Sequence, residues 1–410
     1  NSYTARQDVP IGINLDNTNY WLETGNYNAQ IEQYRNDVLN LRNLFSKYET
    51  ATNVLSLGVD NNGSADVSSV INAWDMSHNG DVLYFPAGKY LLKSTLAVKN
   101  NSYFMTSDAT FVAENLHIAV SIESVTTTIN DKFFYMNVDG NNSCDICFDV
   151  ASVIDCYLEL RGYDANNIGI NLHKYNTAGV SSTFKLFYEN RNAYNNNIGV
   201  ICDVSDCKFT QVSIVNVKTG LILRKSGNVF YYYSCWTRYA ETFTGTVSID
   251  NQVTAGPCFN TFIYATFDTM ETFLTSTEHN IAFSLVFEHV FYEFNSSVTP
   301  QTKCYLWKLE DMSTTQYVSS VLVFNDLFGG LDYIEFGTTG KCPIRTTVRH
   351  NPVYSNFVDW NHDYNYMPTG VWQVRGQNEN DHLPHGLLCP TSICVCETAH
   401  YSKSYIQQAI

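Results

Sequence analysis

Four carboxylates and a histidine between residues 268 and 293 are spaced as a site built on stacked strands would space them. Asp268 and Glu271 lie in Phe267-Asp268-Thr269-Met270-Glu271, and Glu288, His289 and Glu293 lie in Phe287-Glu288-His289-Val290-Phe291-Tyr292-Glu293. The interval from Asp268 to Glu288 nearly equals that from Glu271 to Glu293. Each is close to one turn of a coil whose strands stack roughly 4.8 Å apart. Carboxylates one rung apart would approach the ~5 Å separation of a retaining glycosidase, and two rungs apart the ~6.5–9.5 Å of an inverting one. The Phe and Tyr neighbours would desolvate one carboxyl and raise its pKa, as a general acid requires. Asp268, Glu271, Glu288 and Glu293 are therefore the candidate acid/base set, with His289 as a candidate proton carrier. The competing reading is an acidic outer surface, since the chain carries 40 carboxylates.

Three other groups of residues carry possible chemistry. Tyr231, Tyr233 and Trp236 lie in one strand-like run. Tyr231 and Tyr233 would share a strand face, stacking on sugar rings if it points outward and filling the core if it points inward. Arg224, Lys225 and Arg238 lie close by and could meet a phosphate or a uronate carboxylate. Glu189-Asn190-Arg191 with Asp203 and Asp206 is a second acidic candidate, although the two aspartates suit turn hydrogen bonds better. His382, His385, Cys389, Cys394, Cys396 and His400 could hold a metal, but they lack the Cys-x-x-Cys pairing of a zinc site. No metal site and no cofactor is predicted: no Walker loop, dinucleotide fingerprint, HExxH, nucleophile elbow or EF-hand loop occurs.

The elements that would position these groups are short strands broken by Asn- and Gly-rich turns from about 100 to 340. Strands are predicted near 133–138, 156–160, 168–172, 183–188, 198–202, 207–215, 220–224, 228–233, 260–267 and 281–294. Asn100-Asn101, Asn141-Asn142, Asn166-Asn167 and Asn195-Asn196-Asn197 are predicted corners, because Asn tolerates left-handed backbone. Ile168-Gly169-Ile170, Ile198-Gly199-Val200 and Thr219-Gly220-Leu221 recur at intervals near one coil. Between 87 and 342 only Pro257 and Pro300 occur, as a continuous ladder that cannot spare N–H donors demands. The prolines that return beyond 340 predict a domain boundary there. Before the strands, Asp60-Asn61-Asn62-Gly63 is a turn and Ser64 a predicted helix cap. Val67, Val70, Ile71 and Trp74 would form the apolar face of that helix. It would serve as the lid of a solenoid whose first rung otherwise exposes unpaired backbone groups.

Gly58-Val59-Asp60, Ser69-Val70-Ile71-Asn72-Ala73-Trp74 and Gly80-Asp81-Val82-Leu83-Tyr84-Phe85-Pro86-Ala87-Gly88-Lys89-Tyr90 together resemble the opening motif of the pectate-lyase-like superfamily. The resemblance implies a right-handed parallel β-helix, a scaffold shared by many chemistries and by pure binders. Residues 1–25 form a predicted small β module. With Tyr27-Asn28-Ala29-Gln30 they resemble a module found near the N-termini of tail, collar and appendage proteins of phages of Gram-positive hosts. In residues 26–50, Tyr27, Ile31, Tyr34, Val38, Leu41, Phe45 and Tyr48 are spaced 4-3-4-3-4-3, a heptad seam. That seam can pair with two sister helices in a trimeric stalk or pack flat on its own solenoid.

The expected molecule is thus all-β. A small β module (1–25) and a coiled-coil helix (26–50) precede a parallel β-helix with a helical N-terminal cap (51–340) and a C-terminal cap or tip (341–410). The order resembles phage preneck appendage or tailspike proteins. That resemblance implies a homotrimer in the virion, joined to collar and tail proteins and acting at the host cell surface. It would adsorb to cell-wall polysaccharide or teichoic acid and depolymerise it; the alternatives are a non-catalytic receptor-binding spike and a structural collar fibre. A formal charge of −16 argues against nucleic acid as a main ligand, and no apolar run is long enough to span a bilayer. Of the twelve cysteines, Cys156, Cys202, Cys207 and Cys235 sit in apolar runs and read as reduced core residues.

Overall fold

The computed structural model describes residues 2–25 except Leu15, then 51–123, 128–173, 181–191 and 195–236. Beyond 236 it describes chiefly the strands between Thr246 and Gln408. The chain divides into two compact units, Asn1–Thr52 and Asn53–Ile410. In the first, Ser2–Ala5 pairs antiparallel with Trp21–Gly25. The heptad segment 26–50, and with it the question of the trimeric stalk, lies outside the described residues.

The second unit opens with a helix, α1 (Ser68–Ser77), which starts later than a cap at Ser64 predicts. Asp60 is the reason. Its carboxylate accepts from Ser64 N (2.8 Å), Ser64 Oγ (3.0 Å) and Ala65 N (3.2 Å), so the Ser64 hydroxyl is spent on a turn. Asn62–Asp66 then runs as a strand. The first turn of α1 is served instead by Asp66, which accepts from Ser68 N at 3.0 Å and Ser68 Oγ at 2.6 Å. Val67, Ile71 and Trp74 are buried as predicted, whereas Val70 is turned out to solvent. The helix is locked to the rungs by Asp75, which is fully buried. Its carboxylate accepts from Lys99 N, Asn100 N, Asn101 Nδ2 and Tyr103 Oη at 3.0–3.2 Å.

After α1 the chain is a parallel β-solenoid. Ten strands, from Leu96–Val98 through Leu116–Ile122, Cys144–Ala151, Ile168–His173, Asn195–Cys202 and Val217–Leu223 to Tyr333–Phe336, stack in one parallel sheet, here face I. Face II stacks Val82–Phe85, Ser102–Met105, Phe133–Asp139, Tyr157–Tyr163, Thr183–Glu189 and Lys208–Val215, again in parallel. It then splits into paired short strands and rejoins at Phe283–Glu293. The parallel ladder does not stop at the expected boundary near 340. Arg345–His350, Gly370–Gly376 and Ile393–Thr398 add further parallel strands, and only the last, Ser404–Gln408, is antiparallel. Prolines return beyond 340 without ending the ladder.

The interior is ordered by register. Phe184, Phe209, Phe230, Phe262 and Phe287 occupy equivalent positions on successive rungs of face II. Their rings stack at centroid distances of 5.0, 4.4, 4.5 and 4.7 Å, a continuous interior column. On face I, Ile168, Ile198 and Thr219 are in register, so the recurring Gly169, Gly199 and Gly220 lie one above another. A Cβ at Gly169 would collide with the Tyr188 ring, and one at Gly199 would come within 2.7 Å of the Gly220 carbonyl. The recurrence in sequence is therefore a space requirement. Asn141 and Asn142 take the left-handed conformation expected of corners, as do Ser152, Asp155, Asp164, Asp206 and Asn216. Asn195–Asn197 instead begin a strand. Cys144, Cys147, Cys156, Cys202, Cys207 and Cys235 are buried and unbridged.

Candidate functional site

Alternation along a strand sends every second side chain of face II outward, and in-register stacking lines those side chains up across rungs. One outward row reads Tyr84, Phe104, Tyr135, Glu159, Lys185, Gln211. The next outward positions up the strands add Arg161 and Phe187, then Asp139 and Tyr163. The first half of the surface is aromatic. Tyr84 and Phe104 stack at 6.0 Å, Phe104 and Tyr135 meet at 5.4 Å edge to face, and Tyr135 tilts over Tyr157 at 5.5 Å. All four residues are half-buried, packed against the sheet on one side and accessible on the other.

The aromatic row runs into a shallow groove of about 220 Å³ walled by Glu159, Arg161, Tyr163, Lys185, Phe187 and Gln211. Tyr163 and Phe187 pack at 5.6 Å. Glu159 Oε1 accepts from Arg161 at 2.9 Å and from Lys185 at 3.2 Å. At the rim, Arg191 lies over the Tyr163 ring at 4.7 Å. It bridges Asp139 at 2.6 Å and Asp164 at 2.7 Å. Burial works against the guanidinium's charge, but these two carboxylates hold its pKa above the ordinary value. Burial raises the pKa of the Tyr163 phenol. The arrangement offers ring faces for stacking, two cations paired to Glu159, and amide and hydroxyl donors. It is suited to stacking against flat apolar surfaces and to hydrogen bonding.

The sequence-predicted residues fall elsewhere. Asp268 and Glu293, at the ends of Ala265–Asp268 and Phe283–Glu293, are direct register partners on adjacent rungs. The expected partners were Asp268 with Glu288 and Glu271 with Glu293. Glu288 instead pairs in register with Asn325, and Glu271 lies outside the described residues. His289 is exposed, has left-handed backbone (φ 48°) and stacks on Tyr264 at 5.2 Å. Tyr231 and Tyr233 do not share a face. The strand breaks after Phe230, leaving Tyr231 at a corner and 44 % exposed, while Tyr233 opens the next strand fully buried. Trp236 is half-buried, and Arg238 lies outside the described residues. Of the Glu189-Asn190-Arg191 group, Arg191 reaches the groove rim, Glu189 and Asn190 are buried, and Asp206 makes a corner. Asp203 lies 3.7 Å from Lys225 Nζ. In the C-terminal His/Cys group only Cys394 and Cys396 lie in a described strand, Ile393–Thr398.

The outward row escaped sequence reasoning because its six members are scattered singly over six strands. A signal was nevertheless present: Tyr135, Glu159, Lys185 and Gln211 follow one another at nearly equal intervals, each close to one coil.

Fold and surface define a parallel β-solenoid. No protein-family profile matches the chain, and no curated protein matches it. Among solved structures it is similar to ORF18 of Geobacillus virus E2 (13 % identity, TM-score 0.37), covering 94 % of this chain and 68 % of that one. It is also similar to the A-module of the mannuronan C-5 epimerase AlgE4 of Azotobacter vinelandii (13 % identity, TM-score 0.34; 76 % and 100 % covered). A third is PfbA, a surface adhesin of Streptococcus pneumoniae (12 % identity, TM-score 0.33; 82 % and 94 % covered). Among the described residues no helix is long and apolar enough to cross a membrane.

Proposed function

We propose that the protein is a glycan-binding phage tail appendage, a tailspike that adsorbs to the cell-wall polysaccharide or teichoic acid of the host through the outer surface of face II. The observation that carries the binding reading is the outward row of Tyr84, Phe104 and Tyr135 that leads into the Glu159–Arg161–Lys185–Phe187 groove. Sugar rings present apolar faces that stack on aromatics. Arg and Lys answer phosphates or uronates, Arg with a planar fork and Lys with a mobile point charge. The virion role is supported by the resemblance of residues 1–30 to appendage modules and by the heptad seam of residues 26–50, which also supports a homotrimer attached to collar or tail proteins.

The test is sedimentation of the full chain with purified cell-wall material from Gram-positive hosts. Phe187→Ala combined with Lys185→Ala is expected to weaken binding at least tenfold, and Tyr231→Ala, away from the groove, to leave it unchanged. Binding that survives both groove substitutions would overturn the assignment. Light scattering should give three times the chain mass, and a monomer would remove the trimer.

A second reading, cleavage of the bound glycan, is favoured by the register pairing of Asp268 with Glu293. They stand one rung apart, a strand spacing near the ~5 Å of retaining glycosidases. This reading predicts release of fragments from wall material, abolished by Asp268→Asn or Glu293→Gln while binding persists.

A further inference from the structure

Away from the groove, on face I, three metal-ligating side chains converge from three consecutive rungs. Glu123 follows the strand Leu116–Ile122, Asp149 lies in Cys144–Ala151 and His173 ends Ile168–His173. One donor atom from each lies within 4.8 Å of the other two. Asp149 is 7 % exposed, and its Oδ2 lies 3.0 Å from His173 Nε2. Its Oδ1 accepts from Asn171 Nδ2 at 2.7 Å. That bond fixes the carboxylate plane and leaves Oδ2 to the cluster, as an outer partner of a metal ligand does.

A second observation is independent of the cluster. Ser121 is the register partner of Asp149 one rung below, and in-register parallel neighbours project to the same side. Ser121 is 5 % exposed, and its Oγ is buried without a hydrogen-bond partner. Buried hydroxyls in folded proteins are almost always partnered, so this one has hydrogen-bonding capacity unspent on the protein, on the same side of the sheet as the Asp149 carboxylate. An anion is excluded by Glu123 and Asp149. Neutral imidazole with two carboxylates is a donor set for zinc and its neighbours, whereas calcium and magnesium take oxygen alone.

We propose that Glu123, Asp149 and His173 bind a divalent transition cation of the zinc class, with Ser121 Oγ holding a metal-bound water or filling the fourth position. Zinc bonds its N and O ligands at about 2.0–2.2 Å, which places tetrahedral donors roughly 3.3–3.5 Å apart. His173 and Asp149 need to separate by a few tenths of an ångström, and half-exposed Glu123 supplies the remaining movement. The cation ties three successive rungs of face I together, and its binding does not depend on the glycan surface of face II.

The test uses the full chain, stripped with chelator and titrated by calorimetry with ZnCl2, MnCl2 or CaCl2 alone. The wild type is expected to bind one more zinc equivalent than His173→Gln. Glu123→Gln should weaken that equivalent at least tenfold and Ser121→Ala should weaken it less. Millimolar calcium should not displace it. X-ray absorption of the loaded protein should show a single imidazole among oxygen ligands, which separates this site from sulfur-containing sites formed by Cys389, Cys394 or Cys396. Equal zinc stoichiometry and affinity in the wild type, His173→Gln and Glu123→Gln would overturn the proposal. So would an absence of zinc uptake at millimolar zinc, or displacement by calcium. Should His173→Gln fold poorly by circular dichroism, the half-exposed Glu123→Gln variant decides. Loss of wall binding in the face II variants with zinc uptake intact separates the two assignments.

Discussion

Replacing Asp75 by Ala is expected to unlatch the helical lid from the solenoid. The Asp75 carboxylate accepts four hydrogen bonds in a fully buried setting: Lys99 N–H and Asn100 N–H on Oδ2, and Asn101 Nδ2 and Tyr103 Oη on Oδ1. Asn101 Nδ2 retains the Asp75 and His78 carbonyls as partners in the variant. The two backbone N–H groups and the Tyr103 hydroxyl lose theirs. A buried donor left without a partner costs about 1–3 kcal/mol. Three of them, partly relieved by water entry, total on the order of 3–5 kcal/mol. A tenfold change in an equilibrium corresponds to about 1.4 kcal/mol. Solenoids unfold locally from their ends, so the loss should appear as opening of the first rungs. Amide exchange across 96–105 should accelerate by roughly 100-fold or more, while exchange across 157–163 changes little. Asp75→Asn keeps one oxygen for the two N–H groups but turns an amide NH2 toward Asn101 Nδ2. It should lie in between, at about 1–2 kcal/mol, and Tyr103→Phe, which removes one donor and leaves Asp75 Oδ1 its bond from Asn101 Nδ2, should be milder still. Exchange mass spectrometry measures all three. Unchanged protection of 96–105 in Asp75→Ala would refute the latch.

Other outcomes follow from the same structure. Phe230→Ala removes one ring from the interior Phe column and should cost about 3–5 kcal/mol in denaturant unfolding, whereas Tyr232→Ala, 42 % exposed, should cost under about 0.5 kcal/mol. The turn bonds from Ser64 hold the Asp60 pKa below its ordinary 3.8; at Asp66, burial opposes the lowering but bonds from Ser68 and Lys93 prevail. Lowered carboxylate pKa values stabilise the fold above about pH 4 and lose that contribution as pH falls through the folded value. The melting temperature of Asp66→Asn should therefore fall less than that of the wild type between pH 5 and pH 3. Burial pushes the thiols of Cys156 to about 11 and Cys207 to about 12. Neither should react with iodoacetamide in the native protein at pH 7.5, and both should react in guanidinium; peptide mapping reads the difference.

What the sequence made legible was what repeats at the scale of one strand or one coil. The Gly169, Gly199 and Gly220 phrases, the scarcity of proline and the lid motif each express a constraint that every rung meets, so the solenoid could be read from the residues alone. Two features needed register. The first is the corner after Phe230: an apolar run, Val229 to Cys235, hides the break that sends Tyr231 out and Tyr233 in, because alternation holds only within an unbroken strand. The second is vertical pairing. Coil length varies along the chain, so a fixed interval misassigned Asp268, whose partner is Glu293 rather than Glu288. The helix start failed for a different reason. Asp60 takes the Ser64 hydroxyl for a turn, and Asp66 serves the first turn of α1 four residues later.

These misses follow one physical rule. In a solenoid a site is a column rather than a motif, and its members are brought together by insertions and deletions at corners. The same Asp/Ser/Asn residues that take left-handed backbone at positions 152, 155, 164, 206 and 216 set the length of each coil, and so decide which side chains stack. The row from Tyr84 to Gln211 and the cluster of Glu123, Asp149 and His173 exist because coil lengths sum correctly over several rungs. A one-residue deletion inside a strand is different, because no corner absorbs it: removing Leu172 from Ile168–His173 would turn His173 to the inward side of its rung, while leaving Glu123 and Asp149 in place. Such a variant should lose the zinc equivalent in calorimetry, although none of the three donor residues has been changed.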